Sequence, residues 1–243
     1  MKLIKLNAIA STSSFLKELA QNSTLENFTV VATNEQTNGR GQQSNSWVSE
    51  PHKNLTTSIF IKDFDLQINN QKYLNFAISL AVFEVLLEEQ IPKPTIKWPN
   101  DIMSANNKIC GILIENNIRN HKIYATIVGI GLNVNQTEFP YLLKNVTSFK
   151  KIKDTDFNLD ALLLKLIEKI KEKIQLLASK KYDALENDYL KVLYKKNIPT
   201  MFKNSSDVLF MGIISGISAS GNLLVELENE TIKEFGIKEI SLA

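Results

Sequence analysis

Two runs rich in β-branched and other apolar residues, 108–115 (KICGILIE) and 122–134 (KIYATIVGIGLNV), are separated only by the polar segment 116–121, and this spacing limits the fold more than any other feature. So short a connection joins antiparallel neighbours, because parallel strands need a crossover of a dozen or more residues. The sheet built on this pair is therefore at least partly antiparallel. Residues 73–89 read as a helix that is apolar around most of its circumference, which requires burial against that sheet. Further strands are expected at 3–6, 29–33, 55–61 and 95–97. Ser11, Thr12 and Ser13 precede Phe15, Leu16 and Leu19 at helical spacing, so their hydroxyls cap a helix N-terminus. Asn158 caps a stripe of Leu159, Leu163, Leu166, Ile170, Ile174 and Leu177, and a second helix is expected over 182–193. After Lys195, Lys196 and Asn197 the pattern changes to short strands, 208–215 and 223–227, around a turn at Ser220, Gly221 and Asn222. The expected fold class is α/β of the α+β kind, a mixed, largely antiparallel sheet flanked by helices over 1–194, with a small β-barrel over 195–243.

Composition excludes several classes. With 243 residues, 44% of them hydrophobic, the chain can bury a sizeable core, and a net charge of +2 is far from that of a protein built to coat nucleic acid. One cysteine, Cys110, makes no internal disulfide, and with His52 and His121 it does not complete a zinc site, so no metal-ligating residues are expected. These counts fit a reducing compartment, and a cytoplasmic location is expected. The start of the chain has alternating lysines rather than a secretory pattern. The most apolar stretch, 76–87, is interrupted by Glu84 and falls short of the roughly 20 residues that cross a bilayer, so no membrane partner is expected.

Four segments carry candidate chemistry. In 36–47 (QTNGRGQQSNSW), Gly39 and Gly41 flank Arg40 inside the long polar loop 34–53; glycines admit backbone N–H groups close to an anion, and the arginine can neutralise it. A solvated turn is the alternative. Lys97-Trp98-Pro99-Asn100-Asp101 holds a lysine at a strand end on a stiff turn at Asn100 and Asp101, a positioned charge where a carboxylate must approach a phosphate. Gly111 interrupts a strand after Lys108, the mark of a bulge or a close contact. Gly129-Ile-Gly131-Leu-Asn133 is no dinucleotide fingerprint, since Val134 stands where the third glycine would fall, and no phosphate-binding Gly-rich loop precedes a Lys-Ser or Lys-Thr pair. Neither histidine has a nucleophile elbow to serve, and Cys110, in an apolar strand, reads as a small hydrophobe.

In this order, Ser11-Thr12, Gln36 with Gly39-Arg40-Gly41 and Trp47, Lys97 to Asp101, Lys108 to Glu115 and Gly129 to Asn133 resemble biotin protein ligases, over nearly the whole chain. The resemblance implies a catalytic domain shared with lipoyl ligases, of the class II synthetase-like kind, followed by an SH3-like barrel. It implies ATP-dependent activation of biotin with Mg²⁺ and transfer to a lysine of a biotin carboxyl carrier domain of acetyl-CoA carboxylase or a related carboxylase. By carry-over, Lys97 and Arg40 are the catalytic residues. Ser11, Thr12, Ser13, Gln36, Gly39, Lys97 and Gly111 bind biotin, and Arg40, Gly41, Trp47, Lys97, Asn100, Lys108 and Asn133 bind ATP or the adenylate. Many members have further loop arginines and a glycine where this chain has Gln42, Asn45 and Ser44, and an asparagine where it has Ser13. Some members also carry an N-terminal helix-turn-helix; here the first strand begins at about residue 3, so the short form without DNA binding is expected. A homodimer through an exposed sheet edge is left open. The competing readings are a lipoyl or octanoyl ligase on the same fold, a biotin-responsive repressor and a non-enzymatic SH3-like adaptor.

Overall fold

The computed structural model describes the backbone of residues 1–243 and every side chain except that of Ser44, one of the loop departures, which lies outside the described side chains. Strand β1 (Lys2–Ile9) leads into helix α1 (Thr12–Asn22), whose N-cap Ser11 accepts from the Ser14 amide. Strand β2 (Thr29–Gln36) is followed by two short strands, β3 (Gly39–Arg40) and β4 (Ser46–Trp47), paired as a small hairpin, and then by β5 (Leu55–Gln67). Helix α2 (Gln71–Glu88) precedes β6 (Pro94–Lys97), β7 (Asp101–Ser104), β8 (Asn107–Arg119) and β9 (Lys122–Leu132). Next come α3 (Phe149–Lys153), α4 (Leu159–Ala178) and α5 (Tyr182–Lys191). Strands β10 (Pro199–Asn204), β11 (Leu209–Ile217), β12 (Leu223–Leu227), β13 (Ile232–Phe235) and β14 (Ile240–Leu242) complete the order.

The large sheet has seven strands in the order β1-β2-β5-β9-β8-β7-β6, with β1 and β2 parallel and the remaining pairs antiparallel. It is mixed and largely antiparallel, as the hairpin spacing requires. Its two faces differ. Ile59, Ile61, Cys110, Ile112, Val128, Ile130 and Leu132 join α2, α4 and α5 in the main core, and α2 is buried on nearly every side because α4 and α5 cover what the sheet leaves open. The other face carries α1 over a small cluster of Leu16, Val31, Phe60, Ala125 and Ile127, and beyond that cluster Trp47 of β4 lies over it.

Three details depart from the expected outline. The loop 34–53 contains the β3–β4 hairpin, so the segment is not structureless. Asp101 opens β7 instead of lying in the turn. Strands β8 and β9 extend past their apolar runs and leave only Asn120 and His121 to turn, both with positive φ (51° and 60°), the requirement of a type I′ hairpin whose twist matches its strands.

The C-terminal strands form a five-stranded antiparallel sheet, β13-β12-β11-β10-β14. Its core residues Phe202, Ile214 and Val225 are continuous with Phe76 and Tyr189 of the main core. The turn after β11 docks on the first part of the chain: Trp98 Nε1 donates to the Gly221 carbonyl (3.0 Å), and Lys72 Nζ donates to the Ser218 carbonyl (3.2 Å). Among the described residues, no helix is long and apolar enough to cross a membrane.

Candidate active site

The face that carries α1 holds a cavity of about 150 Å³, and the sheet register explains its shape. Thr56, Gly131, Gly111, Asp101 and Lys97 are successive partners across β5, β9, β8, β7 and β6, so they form one row on one face. Ser58, Gly129 and Leu113 form the next row. The glycines in the middle of both rows leave a trough where side chains would otherwise stand. A Cβ on Gly131 would overlap the Trp47 indole, and one on Gly111 would come within 3.0 Å of it and 3.3 Å of Lys108 Nζ. The interior glycine of β8 is thus a place of close approach, as its position in a strand suggested. Gly39 is required for a similar reason, since its Cβ would meet the Trp47 carbonyl and lie 2.7 Å from Gln36 Nε2.

At one end of the trough stand the residues at the α1 N-terminus. Ser11, Thr12 and Ser13 are buried, and Gln36, at the end of β2, reaches across to them: its Oε1 accepts from the Thr12 amide (2.9 Å) and the Thr12 hydroxyl (3.1 Å). Behind them Ser58 Oγ lies 2.7 Å from Thr12 Oγ1 and 2.8 Å from Ser13 Oγ. A Cβ on Gly129 would lie 2.6 Å from Ser13 Oγ, so that glycine makes room for the hydroxyl.

At the other end stands Lys108, 2.6 Å from Asp101 through its Nζ and 5.6 Å from the Trp47 ring centroid. Strict alternation would put Lys108 and Gly111 on opposite faces. A register shift between Ile102 and Met103, where Cys110 and then Lys108 are the partners, breaks the alternation. Such a bulge re-aims the side chains beside it, and it brings Lys108 into the cavity wall. Lys97, expected to be the central cation, is not part of that wall. It shares the face of Asp101 but stands on β6, at the sheet edge.

The hairpin of β3 and β4 crosses the mouth. Arg40 donates to Ser14 Oγ (3.0 Å) on α1 and to Glu115 Oε1 (2.8 Å) on β8, and Lys17 lies 3.6 Å from the same carboxylate oxygen. Gly41, Gln42 and Asn45 also line the cavity, as does Asn100, whose Nδ2 donates to the Ile112 carbonyl. Asn133 is brought elsewhere: it is 2% exposed, its Nδ2 donates to the Thr147 carbonyl (3.1 Å), and it lies outside the cavity wall. Cys110 faces the main core, where burial pushes its thiol up from the ordinary range and keeps it un-ionised. Thr56, Ser58 and the pairing roles of Asp101 and Glu115 escaped the sequence reading. The first two had a partial signal, because the hydroxyl run Thr56-Thr57-Ser58 opens the strand ahead of the apolar Ile59-Phe60-Ile61, and period two puts Thr56 and Ser58 on one face.

Comparison with known proteins bears on the family and the fold. The profile of the biotin/lipoate A/B protein ligase family matches residues 6–133. The bifunctional ligase/repressor BirA of Bacillus subtilis is 33% identical over 148 residues, covering 60% of this chain and 45% of the relative. The biotin--[acetyl-CoA-carboxylase] ligase of Mycobacterium tuberculosis is 27% identical over 139 residues, covering 54% and 50%. The chain thus spans about half the length of these curated relatives. Among solved structures, the biotin protein ligase from Aquifex aeolicus in complex with biotin and ATP superimposes with a TM-score of 0.80 at 28% identity, over 100% of this chain and 98% of that one.

Proposed function

From the premise that the chain belongs to the biotin/lipoate A/B protein ligase family, we propose that it is a biotin protein ligase, which activates biotin with ATP and transfers it to a carrier lysine. One observation carries the reading: a single trough, floored by Gly111 and Gly131, joins a hydroxyl and amide cluster at one end to the Lys108–Asp101 pair at the other. A ligand lying in it would have a polar ring system beside Ser11, Thr12, Ser13 and Gln36, and a carboxylate beside Lys108. The Aquifex relative, solved with biotin and ATP, supports the same choice of ligands.

The chemistry follows from charge. A carboxylate is a poor acyl donor, and it repels the α-phosphate that it must attack. Lys108 would lie between the two anions, and Asp101 would hold its ammonium in place, so the cation is preorganised where negative charge develops. Attack by a carboxylate oxygen on the α-phosphorus releases diphosphate and leaves biotinyl-AMP. The amine of the carrier lysine then attacks the acyl carbon, AMP departs and an amide forms. Trp47 and the β3–β4 hairpin would cover the anhydride and keep water from it. Mg²⁺ fits as an ion borne by the nucleotide: the described residues contain no cluster of three His, Cys, Asp or Glu, and Asp101 is the carboxylate in the cavity wall. Such an ion would neutralise phosphate charge while keeping most of its waters.

The carrier is proposed to be the biotin carboxyl carrier domain of a carboxylase, by analogy with the Mycobacterium relative's name. Residues 1–194 are proposed as the catalytic domain and 195–243 as an SH3-like domain, the division falling between α5 and β10. The test offers biotin and lipoate in parallel to the protein with ATP, Mg²⁺ and a carrier domain, and weighs the carrier. A mass gain from biotin is expected; transfer of lipoate alone would instead make the chain a lipoyl ligase.

A further inference from the structure

A hydrogen-bonded chain links the inner wall of the cavity to Ser58 behind it, and its direction can be worked out proton by proton. The Thr12 backbone N–H can only donate, so the Gln36 atom that it meets at 2.9 Å must be the carbonyl oxygen, which settles the orientation of that amide. A carbonyl oxygen can only accept, so the Thr12 hydroxyl, 3.1 Å away, gives it its one proton. Thr12 Oγ1 must then accept from Ser58 Oγ at 2.7 Å. With its own proton used there, Ser58 accepts from Ser13 Oγ at 2.8 Å. Thr12, Ser13 and Ser58 are 2%, 5% and 0% exposed, so bulk water has little access with which to reverse the chain. Ser13 therefore turns its proton inward and offers the cavity only lone pairs, whereas Gln36 has its oxygen occupied and turns its Nε2 amino group outward.

We propose that Ser58, which forms no part of the cavity wall itself, is a positioning residue that sets this polarity and through it the ligand class. By relaying from Ser13 to Thr12 it makes Ser13 an acceptor in the same wall that holds a donor, Gln36. That pairing is complementary to a cyclic urea, whose N–H and C=O stand side by side, and a dithiolane ring has neither group. The inference rests on the reading of the cavity as a biotin site, and it adds the reason why a hidden serine governs the choice.

The test is a double-mutant cycle on Ser58→Ala and Ser13→Ala, using titration calorimetry with biotin, desthiobiotin and lipoate together with steady-state transfer to a carrier. Ser58→Ala should raise the biotin Kd and KM about tenfold while leaving the KM for ATP, and kcat at saturating biotin, within about twofold, the split expected when only a ligand hydrogen-bond pattern is lost. Desthiobiotin, which keeps the urea and lacks the sulfur ring, should weaken by the same factor. Ser13→Ala should cost a similar amount, and the double variant should cost about as much as either alone, because both residues belong to one chain. A double variant at the product of the two losses, roughly a hundredfold, or a Ser58→Ala protein that binds biotin like the parent, would overturn the relay. If Ser58→Ala does not fold, Ser58→Cys keeps the size and a weaker donor and should show a loss of about threefold; an unchanged Kd overturns the relay here too. The two failures are distinguishable. Parental protein that binds lipoate and not biotin sinks the site reading itself, whereas parental protein that binds biotin with no effect at Ser58 sinks only the relay.

Discussion

A lysine acts as a compact point charge, so its worth depends on where its nitrogen sits. Lys108 meets Asp101 inside the cavity wall, and Lys97 stands at the sheet edge outside it. Lys108→Ala should therefore lower adenylate formation by on the order of 10³-fold. Lys97→Ala should lower it by a smaller factor, since its charge stands one strand further from the cavity wall. Diphosphate release in a single turnover measures both, and the opposite ranking would return the central role to Lys97. The sequence made both lysines visible, Lys97 through its Trp-Pro turn. Gly111 marked a bulge or a close contact in this strand, but not that the register breaks opposite Ile102 and Met103 and re-aims Lys108, because the break depends on the partner strand.

Among the elements, the β3–β4 hairpin and the β8–β9 hairpin make opposite demands. The first is held across the cavity mouth by the Arg40 guanidinium, which bridges Ser14 on α1 and Glu115 on β8. Arg40→Ala should leave adenylate formation measurable but loosen the cover, so that biotinyl-AMP escapes and labels lysines of bystander proteins. Streptavidin blots of a reaction containing an unrelated protein would report it, and a variant that neither slows nor leaks would remove the hairpin from the mechanism. The β8–β9 turn needs positive φ at Asn120 and His121, and a histidine adopts that conformation at a cost that glycine avoids. His121→Gly should stabilise the protein by about 0.5–1 kcal/mol, a rise in Tm of roughly 1–4 °C. Scanning calorimetry decides it, and a fall in Tm would mean that the imidazole contributes something its backbone does not reveal. Both runs of this hairpin were legible from β-branched composition, and the exact turn was not, since Asn116, Asn117 and Arg119 are polar yet remain paired.

Over the whole molecule, α2 is the element on which the parts meet. Lys72 pairs with Glu186 of α5 (2.9 Å) and donates to the C-terminal sheet's Ser218 carbonyl, and Tyr73 donates to the same Glu186 (3.1 Å) while stacking on Tyr182 (4.4 Å). Burial, followed by the Glu186 hydrogen bond, pushes the Tyr73 hydroxyl up to about 12 from its ordinary value near 10. The sign follows from linkage: the folded state favours the protonated phenol, so this contribution is complete below pH ~10 and is lost as pH rises through about 12. Tyr73→Phe should accordingly be less stable than the parent at neutral pH and converge on it across that alkaline window, as urea midpoints at a series of pH values would show. A constant difference at every pH would mean that the phenol does not titrate in this way.

Local patterns in the chain determined much of this protein. Composition and periodicity define the antiparallel pair, the buried helix, the hydroxyls at a helix start and the change to short strands after residue 197, because each is a rule about neighbours in sequence. What only tertiary structure decided is which of those neighbours face one another. Lys108 enters the cavity because of a bulge, Lys97 stays at the edge because β6 is the last strand, and Asn133 is committed to the Thr147 carbonyl. Ser58 becomes important because β5 runs behind α1, which brings its hydroxyl within hydrogen-bond reach of Thr12 and Ser13, forty-five and more positions away in the chain. A hydrogen bond's direction depends on every partner in its network, and those partners come from α1, β2 and β5 only once the sheet has closed beside the helix.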